Sequence, residues 1–116
     1  MNIRDIEDAC IVDIARNALS QKDVCRIKTL YKKRPHKVRM GLDMRGVRCF
    51  DADFYSFMKD AALKSKLSLF NLENELFLQL FVSGSDSFVN LYLNENDFLR
   101  DKRLMVNRRF RLLKTA

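Results

Sequence analysis

Cys10, Cys25, Cys49 and His36, the only histidine, are the side chains best suited to hold a soft metal or act as nucleophiles. Structural zinc sites pair their ligands two to four residues apart. Here the cysteines stand 15 and 24 residues apart. That spacing, with an odd number of cysteines, predicts free thiols and no bound metal. A second constellation is acidic. Asp43, Asp51 and Asp53 lie beside basic residues, and metal-dependent nucleases use carboxylates to place Mg²⁺ against phosphate. Asp43 falls at a turn and Asp51 at a helix start, however, where aspartate serves the backbone. No glycine-rich phosphate loop or nucleophile elbow is present. The expected chemistry is therefore binding, without catalysis and without a cofactor.

Charge is the stronger signal. Net charge is +7, with 22 Lys and Arg against 15 Asp and Glu. Residues 1–25 hold three basic and five acidic groups, and residues 26–49 hold nine and one. Residues 50–97 hold three basic and eight acidic groups, and residues 98–116 seven and one. Two basic blocks thus alternate with two acidic ones. Internal pairing cannot use the excess of seven positive charges, so a polyanion is the expected partner.

The elements that must display this charge follow from apolar periodicity. Ile3, Ile6, Cys10, Ile14 and Ala18 recur at spacings of three and four, which predicts a helix over 3–19. Ser20 and Asp23 form a capping signal for a second helix over 21–33, striped by Val24, Ile27, Leu30 and Tyr31 and stopped by Pro35. "KVRMGL" and "GVRCF" around "DMR" read as a hairpin with Val38, Met40 and Leu42 on one face and Lys37, Arg39 and Arg48 on the other. A central helix over 51–65 has Asp51 as N-cap and Phe54, Phe57, Met58, Ala61 and Ala62 inward. "LSLFNLENELFLQLFV" is ambiguous between helix and strand over 69–82. "ELFLQLFV" and "FVNLYL" around "SGSDS" are assigned to a second hairpin over 75–93. A final helix over 97–114 gathers Arg100, Arg103, Asn107, Arg108, Arg111 and Lys114 on one arc.

The expectation is an α+β fold in one small domain, residues 1–116: two N-terminal helices, a basic hairpin, a central helix, a second hairpin and a basic C-terminal helix. The expected function is non-enzymatic nucleic-acid binding, to DNA or RNA, mostly through phosphates. Lys32, Lys33, Arg34, Lys37, Arg39 and Arg48 are the candidates from the first block, and Arg100, Arg103, Arg108 and Arg111 from the second. The alternative is a protein–protein adaptor or inhibitor of the small bacterial, phage or viral regulator kind. Its basic blocks would face an acidic partner, or its acidic segment 50–97 a basic one. No apolar run reaches the roughly 18 residues of a membrane span. "MNIRDIEDAC" lacks the apolar core of a secretory signal. A cytoplasmic protein is expected, or a nuclear one if "KKRPHK" acts as an import signal in a cell that has a nucleus.

Overall fold

The computed structural model describes residues 1–34 and 38–104. Ten elements follow one another: β1 (Asn2–Ile6), β2 (Ala9–Asp13), α1 (Gln21–Lys33), β3 (Arg39–Asp43), α2 (Ala52–Ala61), β4 (Leu67–Phe70), α3 (Asn74–Ser83), a 3₁₀ turn (Ser85–Ser87), β5 (Val89–Tyr92) and α4 (Glu95–Leu99). The strands form one sheet in the order β1-β2-β3-β4-β5. β1 and β2 are antiparallel, and every later pairing is parallel. The fold is a small α+β domain with a mixed sheet, but its element order differs from the expected one.

The first correction is at the N-terminus, where a β-hairpin replaces the expected helix over 3–19. Ile3 pairs with Val12, and Ile6 with Ala9. Successive strand positions alternate faces, so Ile3 and Ile6 point to opposite sides of the sheet, where a helix would have put them on one stripe. β2 is covered on both faces, with Ala9, Cys10, Ile11 and Val12 all buried. A doubly buried strand reads as a continuous apolar run, which periodicity alone does not separate from a helix.

α1 matches its expected start and stop. The Asp23 N–H donates to Ser20 Oγ at 3.3 Å, and the Ser20 N–H donates to Asp23 Oδ2 at 3.1 Å. Asp23 also lies 3.3 Å from the Arg16 guanidinium. Burial alone would raise the Asp23 pKa, but the Ser20 hydrogen bonds and the Arg16 charge bring it below the usual value. α2 likewise has its expected cap, with the Phe54 N–H donating to Asp51 Oδ1 at 3.2 Å. Phe54, Phe57, Met58 and Ala61 are buried.

Both expected hairpins after α1 are absent. Residues 39–43 form β3 between β2 and β4, and the chain then turns at Gly46, whose φ is +83°. "GVRCF" contributes only an isolated parallel bridge between Cys49 and Ala18. Residues 67–70 form the fully buried β4, and "ELFLQLFV" lies within helix α3, closed by Gly84 at φ +78°. Of the second hairpin only β5 remains, with Val89 and Leu91 on the core side of the sheet as the alternation requires. The expected helix over 97–114 is the five-residue α4, starting two residues earlier with Asn94 as N-cap. Residues 102–104 are not helical, and the Leu104 N–H donates to the Leu91 carbonyl at 2.7 Å. Residues 105–116, which include the rest of that expectation, lie outside the described residues.

Right-handed crossovers that step across a sheet in one direction place their helices on one face. α1, α2 and α3 accordingly share the main core with Cys10, Val12, Met40, Leu42, Leu67 and Leu69. The opposite face carries a smaller cluster of Ala9, Ile11, Phe70, Tyr92 and Phe98, the last from α4. Gly41 is required there, because a Cβ at that position would lie 2.7 Å from Phe98 Cζ. Arg4 holds α4 against the hairpin through ion pairs to Asp13 at 3.0 Å and to Glu95.

Candidate functional site

Two surfaces stand out: an apolar groove between α2 and α3, and a basic end of the sheet. α3 is the origin of the first. Its Leu76 and Leu80 are buried in the core. Leu78 and Val82 lie two positions further on, about 200° around the helix, and therefore face away. Leu78 is 42 % exposed and Val82 81 %. A helix that is apolar all round is normally enclosed, and α3 is not.

Across from Leu78 and Val82, Phe50 and Tyr55 complete an apolar groove of about 600 Å³. The two aromatics are held from behind. Phe50 packs edge-on to Phe54 at 5.0 Å, and Tyr55 edge-on to Phe88 at 5.9 Å. Asp51 and Gln79 also line the groove. The helices and their N-caps carry Asp51, Asp53, Asp60, Glu73 and Glu75 against the single base Lys59. Of these acids Asp51 lines the groove, whereas Asp53 accepts from Gln21 of α1 and Glu73 accepts from the Gly46 N–H.

The basic surface gathers at the N-terminal ends of β3 and β4. Lys32 and Lys33 from the last turn of α1, Arg34 at its C-cap, and Lys64 beyond α2 line a cavity of about 410 Å³ with Tyr31, Val38, Met40 and Ser65. Burial of the Tyr31 hydroxyl raises its pKa, against the lowering effect of a hydrogen bond with Ser65. A second cavity, on the far face of the sheet, contains Arg39, Lys66 and Arg103 and also touches Ser65.

Five of the expected phosphate-binding residues thus come to this end: Lys32, Lys33, Arg34, Arg39 and Arg103. Lys64 and Lys66 join them. They sit inside a segment whose overall charge is negative, and that average conceals them. Three of the five are already paired, Arg103 with Asp101 at 3.7 Å among them. Arg34 bonds Asp5 at 3.1 Å, and Arg39 bonds Asp101 at 3.5 Å and donates to Tyr92 Oη at 3.1 Å. Arg48 does not share a face with Arg39; it follows the C-terminal end of β3, where its N–H donates to the Asn17 carbonyl at 2.7 Å. Arg100 is the exposed C-cap residue of α4. Lys37, Arg108 and Arg111 lie outside the described residues.

The earlier candidates for chemistry are dispersed. Cys10 is buried, Cys25 and Cys49 are exposed, and all three are free thiols. Burial pushes the Cys10 thiol pKa up. Asp43 Oδ1 accepts from the Arg45 N–H and from Asn71 Nδ2, each at 3.1 Å. Asp51 caps α2, and Asp53 accepts from Gln21 Nε2 at 3.2 Å. Among the described residues no three His, Cys, Asp or Glu side chains converge as a metal site would require. Among them, too, no helix is long and apolar enough to cross a membrane.

No protein-family model matches this chain. No curated protein matches it either. In fold it is similar to the solved NMR structure of the protein TM1081, with a TM-score of 0.66 over 85 % of each chain and 13 % sequence identity. At that identity the likeness concerns the arrangement of helices and strands alone.

Proposed function

We propose that this chain is a non-enzymatic docking module whose α2–α3 groove receives a basic amphipathic segment of a partner protein. The observation that carries this reading is the outward apolar pair Leu78 and Val82, facing Phe50 and Tyr55 across an open groove. Apolar side chains of the partner would fill the groove, and a Lys or Arg beside them would meet Asp51 in its lining. The test is an NMR titration with a leucine–lysine amphipathic helical peptide. Shifts concentrated at residues 50–55 and 76–85, lost in Val82→Asp and not produced by a leucine–glutamate peptide, are expected. Shifts spread over the surface, or unchanged by Val82→Asp, would remove the reading.

A second reading is phosphate-backbone binding at the basic end. It is favoured by Lys32, Lys33, Arg34 and Lys64 lining one cavity that no acid among the described residues lines. The hairpin expected to display such charge is absent, so the surface would consist of helix ends and strand starts. Its test is retention on duplex DNA or RNA at about 150 mM salt, where weak attraction between exposed charges is screened.

A further inference from the structure

We propose that the polar cavity on the α4 side of the sheet is a binding site for a small phosphate monoester. The cavity, about 420 Å³, is lined by Arg39, Lys66, Ser68, Asn90, Tyr92 and Arg103, together with Ser65 and Asp101. That volume lies within the range of metabolite-sized sites, which span roughly 300–1,000 Å³.

Its walls are built from the sheet. Ser68 is paired in register with Gly41 on one side and Asn90 on the other. Adjacent strands lie about 4.8 Å apart, so the Ser68 and Asn90 side chains stand side by side on the same face. Ser68 is 3 % exposed, in a strand whose other residues are Leu67, Leu69 and Phe70. The Ser68 hydroxyl and the Asn90 amide make no hydrogen bond among the described residues, and both open into the cavity.

Arg39 is fixed in place beside them. Its guanidinium lies over Phe98 and is tied to Tyr92 and Asp101 through Nη2. Its Nη1 and Nε groups make no hydrogen bond among the described residues and remain as donors. Lys66 has no ion pair among those residues, and Arg103 lies 3.7 Å from Asp101. Three cations and one carboxylate leave the cavity two positive charges in excess. A phosphate monoester carries about −1.5 to −2 at neutral pH and three strong acceptor oxygens. It matches this set of Arg, Lys, hydroxyl and amide donors in both charge and hydrogen bonding.

The test uses the full chain, NMR and three probes: inorganic phosphate, phenyl phosphate and succinate. Both phosphates should give saturable shifts at Lys66, Ser68, Asn90 and Arg103, with phenyl phosphate the tighter. Lys66→Gln and Ser68→Ala should each weaken binding about tenfold, the loss of one charge-assisted hydrogen bond. Both variants should keep the parent melting temperature, because Lys66 is exposed and alanine fits where serine did. Lys32→Gln, at the other cavity, should leave binding unchanged. Succinate binding as tightly as phenyl phosphate would overturn the assignment to phosphate. Non-saturating shifts, or shifts centred on Lys32, Lys33 and Lys64, would overturn the site.

Discussion

The guanidinium carbon of Arg39 lies 4.4 Å from the centroid of the Phe98 ring, and the same ring stacks on Phe70 at 5.5 Å. α4 is a single short turn of helix, and this ring is its anchor on the sheet. Gly41 leaves the space that the ring occupies. Arg39 then closes the cluster with its charged end at the cavity, an arrangement that combines apolar packing with a cation–π contact worth about 0.5–2 kcal/mol.

Phe98→Ala is therefore expected to cost about 3–5 kcal/mol in chemical denaturation. Gly41→Ala should cost about 1–3 kcal/mol, since the new methyl group overlaps Phe98 and the ring must shift. A Gly41→Ala protein with parent stability would mean that α4 detaches readily from the sheet.

The α1 cap makes a separate prediction. Ser20→Ala removes the oxygen that accepts the Asp23 N–H and should cost about 1 kcal/mol. Asp23 has a folded-state pKa below its unfolded value. Its ionised form therefore stabilises the fold fully above about pH 4, and the contribution is lost as pH falls through the depressed folded-state value. Denaturation midpoints measured from pH 7 downward should show this loss, and Asp23→Asn should remove that part of the acid dependence.

Asp101 follows the same sign. The Tyr92 hydrogen bond lowers its pKa, and the Arg39 and Arg103 charges add to the effect, while burial opposes it. Protonation below the usual carboxylate range should weaken the tie to Arg39. An acid titration followed by NMR at the Tyr92 and Arg39 signals would detect it, and Asp101→Asn should place both signals near their acid positions at neutral pH.

Surface variants separate docking from folding. Leu78→Asp and Val82→Asp should change stability by less than about 0.5 kcal/mol, because neither side chain supports the core. Each should nevertheless abolish binding of the basic amphipathic peptide. A large fall in melting temperature in Val82→Asp would show that this side chain is packed against the fold.

Replacing Lys32, Lys33 and Lys64 together by Gln should leave peptide docking intact. If nucleic acid binds at this end, the slope of log affinity against log salt should fall by roughly one unit per lost phosphate contact. An unchanged slope would exclude these three lysines from any such contact.

Local signals in the chain were sufficient for the parts of the fold that local chemistry controls. The Ser20–Asp23 cap, the end of α1 at Lys33, the Asp51 cap and the inward faces of α1 and α2 could all be read directly, because a helix end is satisfied within four residues of itself. The alternating faces of β5 were legible for the same reason. β3 was legible as a strand, with Met40 and Leu42 on one face and Arg39 on the other, but not its partners; β2 and β4 were not, since a strand covered on both sides has no polar face to mark its period. "ELFLQLFV" failed in the opposite sense: an apolar surface all round concealed a helix whose outer side is the groove. The pairing of β3 with β2 and β4, in place of "GVRCF", brings together residues far apart in sequence. Its free energy comes from burying the sheet beneath three helices, and no local pattern encodes it. That pairing separates Arg48 from Arg39, brings Lys64 and Lys66 to the basic end, and places Ser68 beside Asn90. The sites thus depend on strand order, while the chain's local composition supplied their charge.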